Sequence, residues 1–132
     1  MRRIYLDVCC LNRPFDDQQQ DRVRLEAEAV LLILKRCESE EWQWVSSAVV
    51  RYEVDNIPNT ERRNRVNELL RGAREVLPLS DLAVERGEEL KGIGLKTYDA
   101  LHVACAEHAQ VEVLLTTDDR LVRAAVRHAP AS

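Results

Sequence analysis

The strongest constraint in this sequence is an alternation. Four short, strand-like runs (Ile4 to Cys9, Trp42 to Ser46, Glu75 to Leu79 and Val111 to Thr116) are separated by segments whose apolar residues recur at helical spacing. Strands separated by helices cannot form tight hairpins. They pair in parallel, with the helices as crossovers covering the sheet. The expected fold is therefore α/β: a three-layer α/β/α sandwich around a central, mostly parallel sheet. At 132 residues the chain can bury one core without disulfides or a structural metal. We expect a single domain over residues 1–129, with 130–132 frayed.

The helical segments have readable ends. Asp21 can cap a long helix to about Glu38, with Val23, Ala27, Val30, Leu34 and Cys37 on one face. Leu25, Ala29, Leu32 and Ile33 widen its apolar surface, so more than one side is expected to be covered, in the core or by a partner. Ser46 or Ser47 starts a helix that Pro58 stops, and Thr60 starts one that ends near Gly72. Ser80 and Thr97 are the expected caps of two more, and Asp118 opens the last, to about His128. Asn12 to Asp17 reads as a loop.

Composition excludes several classes. Hydrophobic residues are 45% and charged residues 32%, with only 4 Gly, which rules out a disordered chain and argues against a many-stranded sandwich. The net charge of −4 gives no general attraction for nucleic acid. Of the 19 basic residues only Lys35, Lys91 and Lys96 are lysine, leaving 16 arginines, a bias that suits phosphate contacts and that base composition produces equally. Cys9, Cys10, Cys37 and Cys105 form no C-x-x-C pair, so free thiols in a reducing cytoplasm are expected. No apolar run reaches the ~18–20 residues of a membrane span.

The chemistry is carried by acids. In open parallel sheets, ligands bind outside the carboxyl ends of the strands. Asp7 lies there within an apolar run, where an unpaired carboxylate is costly. Asp118 closely follows the last strand, Asp99 opens a helix of small apolar residues, and Glu53 sits among Val49, Val50, Val54 and Ile57. Singly, Asp99 and Asp118 read equally well as helix-start residues and Glu53 as a solvated one. Four acids gathered at one rim repel one another, and a hard divalent cation, Mg²⁺ or Mn²⁺, removes the conflict. Such an ion also activates water and neutralises a phosphoryl group, which is phosphodiesterase chemistry.

Ile-Tyr-Leu-Asp7, Ser47-x5-Glu53, Tyr98-Asp99-Ala100-Leu-His-Val-Ala104 and Leu-Leu-Thr116-Thr-Asp118-Asp-Arg-Leu, in that order, resemble the PIN domain. More narrowly they are similar to the PIN-domain ribonuclease toxins of VapBC toxin–antitoxin pairs. The resemblance implies that Asp7, Glu53, Asp99 and Asp118 are catalytic and hold the metal, and that Thr116 orients a carboxylate or water. It further implies Mg²⁺- or Mn²⁺-dependent hydrolysis of an RNA substrate to a 5′-phosphate and a 3′-hydroxyl, a cognate antitoxin as partner, and a homodimer. The chain departs from many relatives at Cys9, where Asn, Ser or Thr is common, and Asp119 is an alternative ligand to Asp118.

Other residues have open readings. Arg13 is a candidate substrate contact. Arg62, Arg63, Arg65, Arg71 and Arg74 either touch phosphates or form a solvated face with Glu61, Glu68 and Glu75. His102 reads as a partly buried helix residue rather than a general base. A receiver domain would need a late lysine, and none follows Lys96; a haloacid-dehalogenase-type phosphatase needs Asp-x-Asp, and Asp7-Val-Cys9 fails; no Gly-rich dinucleotide turn exists. The remaining rival is a catalytically silent PIN-fold module that binds RNA or protein.

Overall fold

The computed structural model describes residues 2–128, with side chains through residue 124. The frayed terminus expected at 130–132 lies outside the described residues. Four strands form one sheet: β1 (Arg2–Leu6), β2 (Trp42–Ser47), β3 (Glu75–Leu77) and β4 (Val113–Leu115), in the order β3-β2-β1-β4. Every pairing is parallel, with Ile4 opposite both Trp44 and Val113. The helices are α1 (Val8–Asn12), α2 (Asp21–Glu38), α3 (Ala48–Asp55), α4 (Thr60–Leu70), α5 (Asp81–Gly92), α6 (Thr97–His108) and α7 (Asp119–His128), with a 3₁₀ turn over Arg13–Phe15. The result is the expected three-layer α/β/α sandwich. Among the described residues no helix is long and apolar enough to cross a membrane.

The strand order explains where a site can form. From β1 the chain steps outward to β2 and β3, then returns to place β4 on the free side of β1. Connections therefore diverge between β1 and β4, leaving a crevice at their carboxyl ends. The core beneath is aliphatic and aromatic: Ile4, Tyr5, Leu6, Trp44, Val50, Val54 and Val66 are almost fully buried.

Several boundaries differ from the sequence expectation. The first strand ends at Leu6, not Cys9, because Asp7 takes an extended conformation and opens α1. Val8, Cys10 and Leu11 are buried along this short helix, so the apolar run serves a helix after the acid. The region read as a loop is partly the 3₁₀ turn, started by Arg13-Pro14. Asn59, not Thr60, caps α4 by accepting from Arg62 N, and the residue before α6 is Lys96, not Thr97. Ser47 and Ser80 cap α3 and α5 through Val50 N and Ala83 N. On α2, Ala27, Val30 and Cys37 are buried while Leu25, Leu31 and Leu32 are exposed, so one side of the helix enters the core.

Candidate functional site

Asp7 sits at the carboxyl end of β1 and is 6% exposed. Its backbone N–H donates to Leu115 O across the β1–β4 crevice at 3.0 Å. Its carboxylate is held from two sides. Thr116, just past β4, donates from Oγ1 to Asp7 Oδ2 at 3.0 Å. His102 Nε2 lies 3.6 Å from Asp7 Oδ1. Thr116 Oγ1 in turn accepts from Asp118 N at 3.1 Å, so one hydroxyl links the first acid to the start of the last helix. Asp118 Oδ1 accepts from Arg120 N at 2.9 Å, so this carboxylate does serve the helix start, as its bland reading holds.

Glu53, half-buried on α3, hydrogen-bonds His102 Nε2 through Oε1. His102 is 1% exposed, and its Nδ1 meets the Tyr5 hydroxyl at 2.6 Å. Tyr5 continues to Ser47 Oγ at 2.7 Å, and that oxygen also caps α3. A hydrogen-bonded chain thus runs from the α3 N-terminus through Ser47, Tyr5 and His102 to Glu53. It fixes the imidazole with Nε2–H donating to the carboxylate. Asp7, Glu53 and His102 each offer a ligand atom within 4.8 Å of the others.

Asp99 is half-buried in the first turn of α6. Its carboxyl is raised above its ordinary value by burial, then by Asp7 and Asp118, with Glu53 adding and His102 opposing. The charges of Asp7, Asp118 and Glu53 therefore all reach Asp99 at this rim, while the tight cluster is Asp7, Glu53 and His102. Burial alone would lower His102. The hydrogen bond to Glu53 and the charges of Asp7, Glu53 and Asp99 outweigh burial and raise it above 6.5.

These shifts share one sign in stability. A histidine favoured as the cation in the fold contributes fully below its unfolded value of 6.5 and loses that contribution as pH rises through the folded one. Asp99, favoured as the neutral acid, likewise contributes most below 3.8 and loses it as pH rises. Thermal unfolding in EDTA is expected to show a midpoint that falls between about pH 6 and pH 8. A midpoint rising across that window contradicts this electrostatic description.

The other candidates fall in different places. Cys9 contacts Thr116 Oγ1 at 3.4 Å and accepts from Thr117 N at 3.3 Å, so the thiol supports the hydroxyl that holds Asp7. Asp119 is exposed and bidentate with Arg22, turned to α2. Arg13 is engaged by Asp16 at 3.3 Å and Glu26 at 3.1 Å. Arg62 reaches Asp16, Asn12 and Phe15 and ties α4 to the 3₁₀ turn. Arg65 pairs with Glu61, Arg71 with Glu68 and Arg74 with Glu40, and Arg63 donates to Ile57 O. Those pairings describe a solvated, internally compensated face. Sequence reasoning placed His102 on its helix but not in the cluster. The available signal was its position one turn after Asp99, which puts both on one side of α6.

The donor set fits a hard divalent ion: carboxylate oxygens on a buried floor, with one imidazole as their only close cation among the described residues. A search of curated proteins finds no match. Among solved structures, the chain is similar to the crystal structure of VapBC2 from Rickettsia felis bound to a DNA fragment from their promoter. That match has a TM-score of 0.56 and 16% identity, and covers 92% of each chain. At that identity the likeness concerns the fold. The PIN domain family model matches residues 4–127, nearly the whole chain and all four acids, and by that match this chain belongs to the PIN domain family.

Proposed function

We propose that the chain is a metal-dependent endoribonuclease, the toxin of a type II toxin–antitoxin pair, working as one domain over residues 1–129. What supports this reading is the cluster of Asp7, Glu53 and His102 beyond the carboxyl end of β1, with the charges of Asp7, Glu53 and Asp118 reaching Asp99. Asp7, Glu53, Asp99 and Asp118 would hold Mg²⁺ or Mn²⁺. When bound, the ion lowers the pKa of water and neutralises charge developing on the phosphate. The chain's own residues do the positioning. Thr116 fixes Asp7 through Oδ2, and Asp118 N fixes Thr116. His102 holds Glu53 in place and keeps the buried end of the site balanced in charge. A cognate antitoxin and a homodimeric state belong to this proposal on the family's pattern, and a structural neighbour that is a VapBC complex supports the antitoxin.

The reading is tested by metal linkage. With free Mn²⁺ at about 100 times its Kd, binding adds about 2.7 kcal/mol to stability. For a chain of this size that raises the thermal midpoint by several degrees. Asp7→Asn is expected to abolish the rise. A midpoint indifferent to Mn²⁺ and Mg²⁺ in the unmodified protein would favour the catalytically silent binding module instead.

A further inference from the structure

Six aromatic residues occur in the chain, and the fold treats them unequally. Tyr5 and Trp44 are buried, while Phe15 and Trp42 are half-buried. Only Tyr52 and Tyr98 are exposed, at 56% and 43%, and they lie against each other. Their ring centroids are 6.1 Å apart and their planes are inclined by 28°. They come from different helices, α3 and α6, so the tertiary fold creates the pair. Each immediately precedes an acid of the cluster: Tyr52 comes before Glu53 and Tyr98 before Asp99. That adjacency on α3 and α6 sets the stacked pair beside the two acids. Lys96, also exposed and two residues before Tyr98, has no acid within ion-pair reach among the described residues.

We propose that Tyr52 and Tyr98 form a stacking platform for an unpaired base of single-stranded RNA beside the scissile phosphate, with Lys96 serving the backbone. This rests on the ribonuclease reading and narrows its substrate to unpaired RNA. The physical case is that two large π-faces left in water by the core have a ready partner in a base, which presents a π-face whatever its identity. Two rings already stacked on each other present that surface with little further ordering cost. The net charge of −4 offers little general attraction to RNA, so affinity has to come from local contacts such as stacking. A duplex keeps its bases stacked internally and cannot use the platform.

The test uses short single-stranded RNAs carrying 2-aminopurine at successive positions, titrated with the protein in EDTA so that binding is read without cleavage. Fluorescence quenching at one register is expected, and none with a duplex of the same sequence. Tyr52→Leu and Tyr98→Leu should each weaken binding by about 5- to 100-fold, the range of one lost stacking contact. Tyr52→Phe and Tyr98→Phe should bind within a few-fold of the unmodified protein, because the rings remain. With Mg²⁺ or Mn²⁺ present, the leucine variants should raise KM and largely keep kcat. Leucine variants that bind and cleave normally overturn the proposal, as do phenylalanine variants that fail equally. Should a leucine variant unfold, the quenching by the unmodified protein decides. Quenching without cleavage under any divalent ion keeps the platform and discards the nuclease, whereas cleavage indifferent to both leucine variants does the reverse.

Discussion

Asp7→Asn is expected to lower single-turnover cleavage of single-stranded RNA by at least about 10²- to 10³-fold, the scale of one lost electrostatic contact in a water-poor site. The side chain keeps its shape, and Thr116 can still donate to the amide oxygen, so the fold stays intact. The change relieves the repulsion that raises Asp99 and gives up the attraction that raises His102, so the metal-free protein should melt close to the unmodified one. Loss of activity with a nearly unchanged melting midpoint separates a chemical role from a structural one. Asp99→Asn should behave alike. Cleavage within a few-fold of normal in both variants would remove the acids from the reaction.

Truncating His102 is expected to have the opposite profile, with a large effect on stability. His102→Ala empties a buried volume and leaves Glu53 and the Tyr5 hydroxyl without their shared partner. Breaking a buried, paired ionic contact typically costs about 3–5 kcal/mol. At a few degrees per kcal/mol, the midpoint should fall by roughly 10–20 °C. His102→Gln, which retains a donor for Glu53, should recover part of that loss. A midpoint within a degree or two of the unmodified protein in the alanine variant would mean that the chain from Ser47 to Glu53 does not hold the two helices together.

The layered architecture and the place of Asp7 were legible because both rest on patterns a single chain displays. Strand–helix alternation fixes the parallel sheet, and an acid inside an apolar run marks the carboxyl end of a strand. The turn into α1 was not legible, because Val8, Cys9, Cys10 and Leu11 are apolar whether they continue a strand or start a helix. Apolar content cannot separate those states over so few residues. His102 was seen as a helix residue, yet its partners Tyr5, Ser47 and Glu53 come from three other parts of the chain. No spacing rule links such residues. The arginines of α4 and of the segment after it invited a phosphate reading, but Arg74 pairs with Glu40 and Arg62 with Asp16, partners remote in sequence.

The position of β4 has a consequence for biosynthesis. This strand pairs only with β1, yet it is the last to be made, and it delivers Thr116 and Asp118 to an acid fixed at position 7. A nascent chain still tethered in the ribosome before residue 118 has no closed crevice, whatever its earlier segments have folded into. On the proposed nuclease reading, no crevice able to hold a phosphate exists until synthesis has passed residue 118.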